Sequence, residues 1–92
     1  MERRSGWRRA EQVAERLDLP PLITGMPVVE LTGKSQLFME QHRGVLSYST
    51  ELVEINGGSL VVRVVGAELQ LLAMTETELR IGGRIDRVEL VG

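Results

Sequence analysis

Apolar and polar residues change rhythm once along this chain, near Pro27. Before it, Trp7, Ala10, Val13 or Ala14, and Leu17 recur every three to four residues, with Arg8, Arg9, Glu11, Glu15 and Arg16 elsewhere. That spacing predicts a short amphipathic helix over residues 7–17. Leu19-Pro20-Pro21 ends it, because a proline disfavours helical geometry in the residue before it and lacks the N–H that a further turn needs. Residues 22–26 then read as a linker with a turn at Gly25. Helices shorter than about 12–15 residues are marginal alone, so this one must dock Trp7, Val13 and Leu17 on the sheet, a second copy, a partner or a membrane.

From Pro27 onward the rhythm is alternating, with expected strands over 28–32, 35–42, 45–49, 51–56, 59–65, 67–72, 77–82 and 84–91. Gly33, Gly44, Gly57-Gly58, Gly66 and Gly82-Gly83 punctuate them, and such tight junctions predict antiparallel meanders. The stretch Glu40 to Tyr48 reads as a β-hairpin: Leu37 and Met39 lead in at period two, Leu46 and Tyr48 lead out, and His42-Arg43-Gly44 forms the corner. Residues 60–65 are apolar on both faces apart from Arg63, which predicts a central strand. Ile85 and the pair Val88 and Leu90 fall on opposite parities, so a bulge near Asp86-Arg87 is expected to restore them to one face.

The predicted fold is all-β: a small antiparallel β-sandwich or partly closed barrel of seven to eight short strands, preceded by one short N-terminal amphipathic helix. Residues 1–25 form a basic segment, helix and proline-rich linker, and residues 26–92 the β-domain. The expected inward residues are Val29, Leu31, Leu46, Tyr48, Val62, Val64, Leu69, Leu71, Leu79, Ile81, Val88 and Leu90.

Composition narrows the chemistry. With no cysteine, disulfides, thiolate catalysis and cysteine-based zinc sites are excluded, and the single histidine removes most other metal and triad arrangements. A net charge of -2 gives no overall electrostatic case for nucleic acid, and Trp7, Phe38 and Tyr48 are too few to form a stacking platform. No apolar run approaches a membrane span, and Met1-Glu2-Arg3-Arg4 leads into Trp7-Arg8-Arg9 without the apolar core of a signal peptide. The expectation is a soluble, cytoplasmic protein, peripheral at most to a membrane.

Leu19-Pro20, Met26-Pro27, Leu31-Thr32-Gly33, the block Glu40-Gln41-His42-Arg43-Gly44-Val45-Leu46 with Tyr48-Ser49, Gly66, Leu69, and Ile81-Gly82-Gly83-Arg84-Ile85 with Val88 stand in this order. In these motifs the chain resembles the YabP/YqfC family of sporulation proteins over nearly its whole length. The Leu-Pro lead-in is closer to the YqfC branch. Two features depart from the family pattern, the arginine-rich start and Gln41 where asparagine is common. The resemblance implies a mother-cell protein of endospore formation, often encoded beside a larger membrane protein, and it implies no known catalytic activity.

Read residue by residue, the candidates favour structure over chemistry. Glu40, His42, Arg43, Gly44 and Tyr48 are motif and turn residues. A lone histidine at a corner more often bonds a local carbonyl or carboxylate than a metal, and Ser47 simply alternates with Tyr48 along a strand. Gly33-Lys34-Ser35 mimics the end of a phosphate-binding loop, but the glycine required five residues earlier is Val28. No catalytic, cofactor or metal residue is expected, nor a small-molecule substrate. Trp7, Arg8, Arg9, Val13 and Leu17 are the candidate interaction residues, since a tryptophan among arginines suits an anionic surface, although a solvated terminus before a docking helix is the commoner arrangement. The expected function is a non-enzymatic protein–protein interaction module working with a membrane protein. The alternative is a self-assembling β-subunit, a homo-oligomer or polymer.

Overall fold

The computed structural model describes residues 26–92, so the helix expected over 7–17 lies outside the described residues. Six strands follow one another: β1 (Val28–Thr32), β2 (Gln36–Glu40), β3 (Val45–Tyr48), β4 (Leu52–Asn56), β5 (Val61–Met74) and β6 (Glu78–Val91). They form one open antiparallel sheet of order β1-β2-β6-β5-β4-β3. The all-β class is as the alternation predicts, whereas the count and the layering are corrected. Six strands replace seven or eight, and one continuous sheet replaces a two-sheet sandwich or a partly closed barrel.

Both missing strands disappear by fusion, 59–65 with 67–72 into β5 and 77–82 with 84–91 into β6. Gly66 and Gly83 do not turn the chain; they let the two long strands approach. A Cβ on Gly66 would run into the Arg84 carbonyl, and one on Gly83, which sits at φ +127°, would lie 2.5 Å from the Glu68 carbonyl oxygen. Around these contacts the register slips three times. Asp86 is the extra residue on β6, between the Val65–Arg87 and Gly66–Ile85 pairs, close to where the sequence places a bulge. Glu68, at φ 54°, and Leu72 are the extra residues on β5.

Bulges bend strands, and here they fold the sheet over. Fourteen residues of extended ribbon span about 46 Å, yet its two ends are tied to adjacent residues of the β2–β3 connection. His42 N–H donates to the carbonyl of Thr77 at the hairpin tip (3.2 Å), while Arg43 N–H donates to Asn56 (2.7 Å), which pairs with Val61 at the other end. The ribbon is therefore doubled back on itself. One arm carries β1 and β2 beside residues 78–82, and the other carries β4 and β3 beside residues 61–65. This corrects the expected hairpin at Glu40–Tyr48, because β2 pairs with β1 and β6, β3 pairs with β4, and the connection crosses from one arm to the other.

Facing residues of the two arms make the core. Leu37, Met39, Leu79 and Ile81 come from one arm, Val53, Ile55, Val62 and Val64 from the other, with Leu69 and Ile85 at the bend. Five of the expected inward residues are buried, namely Val62, Val64, Leu69, Leu79 and Ile81, and Val29, Leu71 and Val88 pack partly against them. Leu31, Leu46, Tyr48 and Leu90 are exposed instead. Leu46 is the unpaired residue of a bulge between Val45 and Ser47, and the other three point to the core side from strand ends or edges that the opposite arm does not reach.

Because Gly66 holds the bend, Gly66→Ala is expected to cost at least about 3 kcal/mol, by forcing the two strands apart at their closest approach. Gly33→Ala, at φ +55° with nothing within 4 Å of the new Cβ, should cost only about 1 kcal/mol. Urea unfolding midpoints of the two variants check the contrast.

Candidate functional site

Glu40, His42, Arg43 and Gly44 gather at the crossover, where the two arms are tied. His42 is the buried polar residue of the described chain, 6% exposed. Its Nε2–H donates to the Thr75 carbonyl at 2.8 Å, and its Nδ1 accepts the Gly44 N–H at 2.9 Å. That pattern fixes the neutral ring in one tautomer and uses both nitrogens on main-chain groups. Neither nitrogen is left for a substrate or a metal ion. The Arg43 side chain lies exposed over Gly58, and the Gly44 carbonyl accepts the Asn56 N–H at 2.8 Å. Glu40 ends β2 opposite Glu78, a like-charged pair with no structural gain of its own.

Tyr48 stands apart from this cluster. Its hydroxyl accepts the Leu71 N–H at 3.3 Å, so a β3 side chain satisfies a donor on the open edge of β5 beyond the reach of β4. Trp7, Arg8, Arg9, Val13 and Leu17 lie outside the described residues.

Sequence reasoning passed over a polar row on the outer face. Ser47, Glu54, Arg63 and Glu89 are successive cross-strand neighbours on β3, β4, β5 and β6. Ser47 Oγ donates to Glu54 (2.9 Å), Arg63 bridges Glu54 (2.9 Å) and Glu89 (3.1 Å), and Arg87 closes the row on Glu89 (2.8 Å). The Arg63 hydrogen bond, seconded by Ser47, holds the Glu54 carboxyl below the usual carboxylate range, and Arg87 then Arg63 do the same for Glu89. Glu54 and then Glu89 raise Arg63 in return. The signal was present in the sequence, as one arginine inside an apolar run is a charge seeking partners at the matching parity of its neighbours.

Phe38, Ala73, Met74, Thr75, Glu78, Leu79 and Arg80 line a groove of about 140 Å³, with the Arg80 guanidinium 4.7 Å above the Phe38 ring. Ligand pockets generally run from about 300 Å³ upward, so this one is too small to bury a cofactor. Among the described residues no three His, Cys, Asp or Glu side chains are grouped as metal ligands, and no helix is long and apolar enough to cross a membrane.

The larger exposed apolar side chains sit at strand edges and ends: Val28 and Leu31 on β1, Leu46 and Tyr48 on β3, Leu72 and Met74 on β5, Leu90 and Val91 on β6. Two of these strands, β1 and β3, are the outermost of the sheet. It offers main-chain edges flanked by aliphatic groups, and no activated nucleophile or acid–base pair stands among the residues just described.

Compared with known proteins, residues 25–92 match the sequence profile of the YabP family. No curated protein and no solved structure matches the chain. The matched residues begin after Leu19-Pro20, so the match does not reach the motif on which the likeness to the YqfC branch rests. Membership is consistent with a sporulation-related role.

Two outcomes test the geometry. His42→Ala should lower stability by about 2–3 kcal/mol, leaving the Thr75 carbonyl and Gly44 N–H unpaired at a buried corner, as read from denaturant unfolding. The polar row contributes above the ordinary carboxylate range, since its carboxyls titrate lower folded than unfolded, and that contribution is lost as pH falls through their lowered values. The Arg63→Met variant should therefore lose less stability than the parent between neutral pH and about pH 3, measured by thermal melts across that range.

Proposed function

The chain belongs to the YabP family, and on that premise we propose that it is a non-enzymatic sporulation protein of the mother cell. It acts as a protein–protein interaction module in a complex with a membrane protein. The observation that carries this reading is the apolar rim. Val28, Leu31, Leu46 and Tyr48 are all about half exposed on the two outer strands of the sheet. Edge main-chain groups flanked by such side chains are what strand addition by a partner uses, with hydrogen bonds supplying affinity and alternate side chains specificity.

The engagement of both His42 ring nitrogens favours this reading over an enzymatic one, because it commits the one imidazole to holding the arms together. The arginines around Trp7 supply a second contact. Basic residues beside an anionic leaflet contribute about 1 kcal/mol each at best, so Arg3, Arg4, Arg8 and Arg9 give a weak, salt-sensitive attachment and the protein partner supplies the rest. The Leu19-Pro20 lead-in favours the YqfC branch within the family.

Deleting residues 1–18 is expected to leave the β-domain folded and to reduce recovery of the membrane partner when the tagged protein is purified from sporulating cells. Normal recovery and normal membrane-proximal localisation of the truncated protein would assign the binding to the sheet edges alone. Hydrolysis of a substrate by the purified protein, abolished by His42→Ala with the fold intact, would overturn the non-enzymatic reading.

A further inference from the structure

The doubled-back ribbon leaves four stretches of strand edge without a partner among the described residues: β1, β3, residues 70–74 of β5, and residues 86–91 of β6. Proteins keep such edges from pairing with their own copies by charge, bulges and cover, and three of the four are unsuited here to pairing with the same edge of a second copy. A second copy of β1 paired about its midpoint would set Glu30 against Glu30. On β3 there are only four residues, and Leu46 bulges within them. On β5 the far end carries the Leu72 bulge, and its Leu71 N–H is already taken by Tyr48.

The edge of β6 is different. After the bulge at Asp86, residues 87–91 run without a further register slip, past the last hydrogen bond that the β1–β2 turn makes to β6, from Ile85 N–H to the Lys34 carbonyl. Here Arg87 and Glu89 point to the outer face and Val88 and Leu90 to the core side, where Leu90 is 67% exposed. The segment is self-complementary. Paired antiparallel with a second copy about Val88, it sets each Arg87 opposite the other copy's Glu89 and brings the two Val88 side chains together. Leu90 then lies diagonally beside the facing Val88, within the reach of cross-strand neighbours.

We propose that the residue 86–91 edge of β6 is the contact between two copies of this chain, which pair antiparallel about Val88. The contact is isologous and closes after two copies. Residues 61–65 of β5, β4 and β3 of each copy extend the joined strands outward, so one continuous sheet runs through both molecules. This surface is independent of the apolar rim of β1 and β3 and leaves that rim available to a different partner.

An edge of this length buries less than a standard interface, so the dimer is weak and its population should rise over roughly 10 μM to 1 mM. Sedimentation equilibrium of the full chain across that range is expected to show a monomer–dimer equilibrium. Arg87→Glu changes both charge pairs from attraction to repulsion and should raise the dissociation constant on the order of tenfold. Arg87 is exposed and among the described residues its ion pair is with Glu89 alone, so circular dichroism should be unchanged. The register has its own test, because the chain lacks cysteine. Val88→Cys should form a covalent dimer under mild oxidation, as directly opposed residues lie within disulfide reach, whereas Leu90→Cys, offset by about four residues from its counterpart, should not. A chain that stays monomeric throughout, a dimer indifferent to Arg87→Glu, or equal cross-linking at the two positions would each overturn the proposal; the first outcome would point to residues 1–25 as cover for this edge.

Discussion

Two successive backbone N–H groups, those of His42 and Arg43, hold together the ends of a ribbon that would otherwise be extended. One grips the hairpin tip at Thr77, the other the start of the ribbon through Asn56. Most of the remaining structure follows from that closure. The arms can bury one face of a single sheet only because the ribbon is doubled, and the doubling brings Leu37 and Met39 into one core with Val53 and Ile55 without any helix among the described residues. His42 earns its burial by reinforcing this tie from its ring.

The two faces of the sheet do different work. The inner face is aliphatic and supplies the burial that outweighs the chain entropy of a small domain. The outer face carries the row from Ser47 to Glu89, whose half-exposed ion pairs are worth little in stability. Their value is in register: a one-residue slip of β4 or β6 against β5 would turn Glu54 or Glu89 inward and leave Arg63 without a partner. Wide bends at three bulges make a slip easy to imagine, and the charged row excludes it.

Local pattern was legible in the sequence, and long-range closure was not. Alternation located β1 and β4 to within a residue, and the parity break after Ile85 located the bulge at Asp86. Glycine misled at Gly66 and Gly83, because the same residue that permits a turn also permits two backbones to touch, and only the partner's position distinguishes the cases. The crossover at Gln41 to Gly44 looked like a hairpin for a similar reason: its flanking strands have matched parity, but their hydrogen bonds go to residues some forty positions downstream in one case and ten in the other. Arg63, alone in an apolar run, signals a charge that needs partners, but which carboxylates answer it depends on strand pairing that no spacing along the sequence announces. His42 as a structural clip was readable from its isolation, while the residues it clips were not.

The placement of β6 between β2 and β5 has a consequence for how the chain is born. During synthesis β1–β2 and β3–β4 emerge first, each able to close as a local hairpin, but the inner partner of β2 is still unmade, since Gln36 waits for Gly82. The β3–β4 hairpin can add β5 as soon as that strand emerges, whereas β1–β2 stays a two-stranded hairpin, marginal in water, until β6 is made. Closure of the two arms on each other is thus a late step governed by distant contacts, slow by the standards of its size. In the interval, the half-made protein displays the same aliphatic strands that it later hides.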